Sequence, residues 1–287
     1  MNKTLVILNP AARGDRASKL KGAIEELPGA PIVRLTQETG DARRIASEAA
    51  QEGFQTVVAA GGDGTVNEVV NGLAGSGLTL GILPVGTMNV FAAELGIPHG
   101  NLEKAWKVIE QGFTSAIDLP MANEHHFIQL AGVGLDAEVV RKTSRESKKT
   151  LGPLSYLLTL AQVAAVKPPI VRLEMPNEPI REGCFALIGN GRLYGGPFAL
   201  FKQANPRDGL LDIVIFKNQS HWDVVRYFQA IAFGTHQSLP DVEYLQATSV
   251  RITSDSEVPV ELDGEVAGIL PCEFRFSVEK LRVLTPQ

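Results

Sequence analysis

The chain has 287 residues, enough for about two domains of ordinary size, and its 44% hydrophobic and 21% charged content is that of a soluble globular protein. A net charge of −5 gives no electrostatic support for a nucleic-acid partner. The two cysteines, Cys184 and Cys272, lie far apart, the histidines show no metal-binding spacing, and no apolar run approaches the ~20 residues that span a bilayer.

In chain order, Thr4 to Leu8 reads as a buried strand that breaks at Asn9-Pro10. Leu20, Ala23, Ile24 and Leu27 keep helical spacing up to Pro28-Gly29, and Ile32 to Leu35 forms a second strand. Asp41 is placed to cap a helix carrying Ala42, Ile45, Ala46 and Ala49 on one face. Strand 56–60, helix 66–73, strand 78–83, helix 89–95 and a helix through Leu102, Ala105, Trp106 and Ile109 follow. This alternation predicts an α/β domain with a parallel sheet. After Asp118 two amphipathic segments, near Asp136 to Ser147 and Leu154 to Val166, precede short strands broken by Gly, Pro, Asn and Asp. The strands are expected at 170–175, 185–189, 210–216, 250–253, 258–262 and 272–278, with one helix at 222–233, a pattern that predicts a C-terminal β-sandwich domain. The expected division is 1–119 and 120–279, with the last residues, ~280–287, free to return to the first domain, and the cleft between domains is the natural place for a site.

The chemistry concentrates in two turns. Val57 to Ala60 ends in Gly61-Gly62-Asp63-Gly64-Thr65, and Leu78 to Leu83 ends in Pro84-Val85-Gly86-Thr87-Met88-Asn89. In an open parallel sheet both lie at strand carboxyl ends, where such folds bind ligands, and a glycine-rich helix start favours negative charge. A phosphate cradle is the expectation. No GxxxxGK[ST] string or loop lysine is present, so this is not a Walker-type loop.

The string Gly61-Gly62-Asp63-Gly64-Thr65-Val66-Asn67-Glu68-Val69-Val70-Asn71-Gly72-Leu73 resembles the signature of the diacylglycerol kinase catalytic-domain family, which includes bacterial lipid kinases and sphingosine kinases. The resemblance continues through Thr36 to Ala42, Leu83 to Asn89, Gly132 to Ala137, Asp208 to Asp212 and Leu262 to Glu265, in family order. It implies a nucleotide-binding α/β domain, a lipid-substrate β-sandwich domain, and a kinase that uses ATP and Mg²⁺ on diacylglycerol or a similar lipid alcohol, with sphingoid bases as second choice. By resemblance, Asn9, Thr36, Gly62, Asp63, Gly64, Thr65, Val66, Asn67, Glu68 and Thr87 match nucleotide-binding positions, and Asn205, Asp208 and Leu210 match a structural Mg²⁺ site. Glu265 matches the general base, while Asp63 is assigned an electrostatic role in catalysis. The chain departs from the family at Ala12-Arg13 and at Val90, where relatives often carry Asp.

Taken without the resemblance, Thr36 is a strand-end residue, Asp208-Gly209 an ordinary turn, and Asp263-Gly264 a two-residue hairpin followed by a solvated Glu265. The basic stretch 141–149 before an apolar segment either rests on anionic lipid or is a solvated helix face. Tyr194-Gly195-Gly196-Pro197 with Phe198 and Phe201 either lines a lipid entry or covers the core. The expected setting is cytoplasmic, with the lipid presented at a membrane surface and peripheral contact at its inner face. The rivals are a kinase of NAD or another soluble alcohol, and a catalytically silent lipid- or nucleotide-binding protein of the same fold.

Overall fold

A computed structural model describes residues 3–10, 17–142 and 168–287. The chain divides into two compact units, Met1–Leu119 with Ser277–Gln287, and Pro120–Phe276.

The first unit is built on a six-stranded sheet. Strands β1 (Thr4–Leu8), β2 (Ile32–Leu35), β3 (Thr56–Gly61) and β4 (Thr79–Pro84) run parallel in the order β2-β1-β3-β4. The final strand of the chain, β20 (Leu281–Leu284), adds parallel to β4, and β5 (Thr114–Ile117) closes the edge antiparallel to it. Leu5–Leu8 and Val57–Ala60 are fully buried, as unbroken apolar runs must be when helices cover both faces. Those helices are α1 (Ala17–Glu25), α2 (Asp41–Ala49), α3 (Asp63–Leu73), the short α4 (Val90–Glu94) and α5 (Leu102–Gln111). Leu20 and Ala23 thus lie in α1, and Ala105 and Trp106 are buried in α5.

Two helix starts differ from the sequence expectation. Asp41 does not cap α2. Its Oδ2 accepts the amides of Gln37 and Glu38 at 2.8 and 3.2 Å, closing the preceding turn, and these bonds hold its carboxyl below the usual range. The first turn of α2 is served instead from α3, where Glu68 Oε2 accepts the Ala42 amide at 3.1 Å. The helix expected from Val66 begins three residues earlier, at Asp63, so the GGDG turn and the helix N-terminus are one structure.

The second unit is an antiparallel sandwich. One sheet has the order β10-β9-β16-β19-β6-β7, from β6 (Pro120–Ala122), β7 (His125–His126), β9 (Val171–Glu174), β10 (Arg181–Gly183), β16 (Ser249–Ser254) and β19 (Cys272–Phe276). The other has the order β15-β14-β11-β8-β17-β18, from β8 (Leu130–Val133), β11 (Phe185–Gly189), β14 (Leu211–Phe216), β15 (Val242–Ala247), β17 (Pro259–Leu262) and β18 (Glu265–Ile269). A small hairpin, β12 (Leu193–Tyr194) with β13 (Phe198–Ala199), stands apart.

Strand alternation divides the core. Ala186, Ile188, Ile213, Ile215, Val260 and Leu262 point between the sheets and meet Leu173, Val250 and Phe274. Phe185, Leu187, Val214 and Phe216 point the other way, toward α6 (Leu135–Lys142) and α7 (His221–Ala232), and meet Val139, Val224 and Tyr227. The rings of Phe185 and Phe216 stack at 4.4 Å, with Tyr227 tilted 4.8 Å from Phe216. A strand buried on both faces explains why β14 reads as an almost continuous apolar run. The first amphipathic segment appears as α6; residues 143–147, the second segment at 154–166 and most of the basic stretch fall outside the described residues.

Candidate functional site

In the first unit the residues expected to touch nucleotide lie at the carboxyl ends of four adjacent parallel strands. Asn9 follows β1, Thr36 follows β2, Gly62 to Glu68 follow β3, and Thr87 follows β4. The turns are locked to each other. Gly61 O accepts the amides of both Val85 and Gly86 at 3.2 Å, and Asn9 Nδ2 donates to Thr65 Oγ1 at 3.0 Å. A Cβ on Gly86 would lie 2.4 Å from Gly62 Cα, so only a residue without a side chain lets the two backbones meet.

The N-cap residue of α3 is Gly62, which has no side chain to cap the helix. The eleven-residue helix therefore presents its first-turn amides and the positive end of its dipole beside the paired glycine turns. Asp63 is engaged on one side: its Oδ1 accepts the Phe91 amide at 3.2 Å and so fixes the start of α4. Asn89 holds a left-handed conformation and bonds both the amide and the carbonyl of Gly86. Thr87 is exposed and Thr36 is buried with its amide on Leu8 O.

Val66 has its side chain in the core and its amide on Gly62 O. Glu68 Oε2 accepts the Ala42 amide and so ties α3 to α2. Asn67 lies half-buried along α3, where its carbonyl and Oδ1 accept from Asn71 Nδ2.

In the second unit Asp263 and Gly264 form the two-residue turn between β17 and β18, both with positive φ, 48° and 87°. Asp263 is the anchor of this turn. Its carboxylate accepts the amides of Ile128, Gln129 and Leu130 at 2.8, 3.0 and 3.0 Å, and its own amide donates to Leu130 O at 2.8 Å. Glu265, paired with Leu262 at the head of β18, is exposed. The turn thus carries one half-buried carboxylate bonded to three amides and one presented to solvent.

The expected metal loop is compact. Asp208 Oδ1 accepts the Leu210 amide at 3.0 Å, and Asn205 O accepts the amides of Arg207 and Asp208 at 2.7 and 3.3 Å. Asn205 and Asp208 are exposed, and Asp208 keeps a second oxygen that suits a hard cation such as Mg²⁺. Close by, Asp212 is fully buried and its Oδ1 is bonded by Tyr244 Oη and by Gln246 Nε2, at 3.0 Å for the latter. Asp212 Oδ2 is buried with no partner among the described residues, and burial pushes the carboxyl up to about 6. An oxygen-rich loop beside an orphaned buried carboxylate fits a bound cation and its waters.

A second buried acid is Glu261, on the helix side of β17, facing Asp136 of α6 across Gly132 of β8. Burial, then the neighbouring Asp136, pushes its carboxyl well above the ordinary carboxylate range. Asp212 and Glu261 were not singled out from the sequence as site residues, although each is an acid inside an apolar strand run, Leu211–Phe216 and Pro259–Leu262.

Residues 3–122 match the family described as "Diacylglycerol kinase catalytic domain", and residues 130–285 match "YegS C-terminal NAD kinase beta sandwich-like domain". The chain belongs to the diacylglycerol kinase family of lipid kinases. Within the family it is 32% identical over its whole length to "Diacylglycerol kinase" of Bacillus subtilis (strain 168), covering 97% of that protein. It is 36% identical to "Probable lipid kinase YegS-like" of Pseudomonas aeruginosa (strain UCBPP-PA14), across 99% of this chain and 95% of the relative. Its fold matches the crystal structure of a "putative diacylglycerol kinase" from Bacillus anthracis str. Sterne with a TM-score of 0.83 at 29% identity, across 99% of this chain and 95% of that one. Family membership supports a kinase with an α/β domain and a β-sandwich domain.

Proposed function

We propose that the protein transfers the γ-phosphoryl group of ATP, with Mg²⁺, to the hydroxyl of diacylglycerol or a similar lipid alcohol. What supports the reading is the helix N-terminus of α3 beside the paired glycine turns, together with Glu265 presented to solvent on its turn, in a chain whose relatives are named diacylglycerol kinase and lipid kinase. Peripheral contact with the membrane that holds the lipid belongs to the same proposal; no described helix is long and apolar enough to cross one.

The first-turn amides of α3, beside the paired glycine turns, bind and orient the phosphates, and Asp63 keeps the second turn in place through Phe91. Asn9 supports that cradle through Thr65. Glu265 accepts the proton of the attacking hydroxyl, a role that needs an exposed carboxylate on a rigid turn. Asn205, Asp208 and the Leu210 carbonyl hold Mg²⁺, which supplies charge neutralisation and structural order.

A soluble-alcohol kinase is the second reading, favoured by the likeness of the sandwich domain to that of NAD kinases in the description of its matching family. Assay of phosphate transfer from ATP to diacylglycerol, sphingoid bases and NAD tests both. Transfer to a lipid supports the proposal, and transfer to NAD alone supports the rival. ATP binding without transfer to any acceptor points to a silent module.

A further inference from the structure

The turn that carries Glu265 is held from beneath by a second pair of carboxyl groups. Glu261 is 1% exposed, on β17, four residues before Glu265. Its Oε2 accepts the Gly264 amide at 2.7 Å, inside the turn itself. Its Oε1 has no donor among the described residues and faces the carboxyl group of Asp136. The two acids meet over Gly132, where a Cβ would lie 2.8 Å from Glu261 Oε1 and 3.0 Å from Asp136 Oδ2. Asp136 Oδ1 accepts the Tyr194 hydroxyl at 2.9 Å.

Two neighbouring carboxylates in a buried site do not both keep their charge, so one proton between them is the stable state. Asp263 is a further acid acting on Glu261, and the Tyr194 hydroxyl donates to Asp136 on the far side. Above the pair, β17 and β18 shift register between Val260 and Glu261, and a bulge of this kind re-aims the strand that follows. The turn is therefore tied at two points: Asp263 to the 128–130 amides and Gly264 to Glu261.

We propose that Glu261, sharing one proton with Asp136, is a positioning residue that holds the Asp263–Glu265 turn and thereby aims Glu265. This rests on the reading of Glu265 as the general base. It extends that reading by explaining why an acid occupies a buried strand position whose neighbours Val260 and Leu262 are core residues.

The test compares Glu261→Gln, Glu261→Ala and Glu265→Gln in the full chain, with kcat, the KM for ATP, the pH profile of transfer to diacylglycerol micelles, and exchange of the Gly264 amide. A glutamine amide donates to Asp136 and accepts from Gly264, which reproduces the protonated acid. Glu261→Gln is expected to keep kcat within about threefold of wild type and to remove the alkaline loss that wild type shows as the shared proton leaves. Glu261→Ala is expected to lower kcat at least about tenfold with the KM for ATP unchanged, and to speed Gly264 exchange by a similar factor. If the alanine variant does not fold, the glutamine and wild-type pH profiles decide. An inactive but folded Glu261→Gln, matching alkaline limbs, or unchanged Gly264 exchange in Glu261→Ala would overturn the proposal. Full activity in Glu265→Gln removes the base assignment alone, and the positioning of the turn is then judged by Gly264 exchange.

Discussion

The carboxylate of Asp63 accepts the amide of Phe91 at 3.2 Å, so the aspartate of the first glycine turn fixes the helix that follows the second. The two turns are one object, joined by this bond, by Gly61 O and by the contact of Gly62 with Gly86. Replacing Asp63 therefore has two effects. Asp63→Asn, which can still accept from Phe91, should keep stability near wild type. Asp63→Ala should lose ~0.5–2 kcal/mol, the usual loss for a capping side chain, and both should lower kcat through the lost negative charge. Thermal unfolding beside steady-state kinetics separates the two; equal stability in the two variants would contradict the capping role.

Gly86→Ala is expected to disrupt the cradle more than the removal of one methyl-sized gap elsewhere would suggest. The new Cβ meets backbone, Gly62 Cα at 2.4 Å, and backbone cannot rotate away. Overpacking of this kind costs ~1–3 kcal/mol. Nucleotide affinity, read by calorimetric titration with ATP, should fall with it, while a substitution at exposed Thr87 should leave stability unchanged.

Asp241 anchors α7 to the strand edge. It accepts Arg226 Nη1 at 2.9 Å, Tyr227 Oη at 2.6 Å and Asn218 Nδ2 at 2.9 Å, and the Arg226 guanidinium holds its carboxyl well below the usual range. A carboxyl with a lowered folded-state pKa contributes stability that is complete above its unfolded pKa, near 4, and is lost as pH falls through the folded value. Asp241→Asn should therefore lower the unfolding midpoint at pH 7, and the gap from wild type should narrow below about pH 4. A gap that stays constant down to pH 2 would contradict this assignment.

Much of the first unit was legible because its central strands are unbroken apolar runs that end in turn residues. Thr4–Leu8 and Thr56–Gly61 announce themselves, and the GGDG turn follows the second directly. The sandwich was harder. β15 and β18 were missed because Val242–Ala247 and Glu265–Ile269 are half-buried or exposed along nearly their whole length, so neither shows an apolar face. The error at Asp41 had a different source. A capping residue was read from local spacing, whereas the bond to Ala42 comes from Glu68, 26 residues later. Tertiary donors and acceptors of this kind leave no local pattern. The acids Asp212 and Glu261 did leave one, a lone charge within a buried run, but what they face depends on Tyr244 and Asp136, which only the fold brings near.

Substitution of the metal loop gives another prediction. Asp208→Asn keeps an oxygen for the Leu210 amide but removes the charge that suits Mg²⁺. Wild type should gain thermal stability on adding Mg²⁺, and Asp208→Asn should gain much less, by mass action on the folded state. Equal stabilisation of the two proteins would place the cation elsewhere.

The central claim is that the phosphate cradle and Glu265 serve transfer to a lipid hydroxyl, and it is tested most directly by turnover of radiolabelled ATP with diacylglycerol in detergent micelles, wild type against Glu265→Gln. The account predicts labelled lipid phosphate with wild type and a fall of ~10²–10⁴-fold in Glu265→Gln with ATP binding retained. Transfer to NAD but to no lipid, or more than about a tenth of wild-type activity in Glu265→Gln, would contradict it.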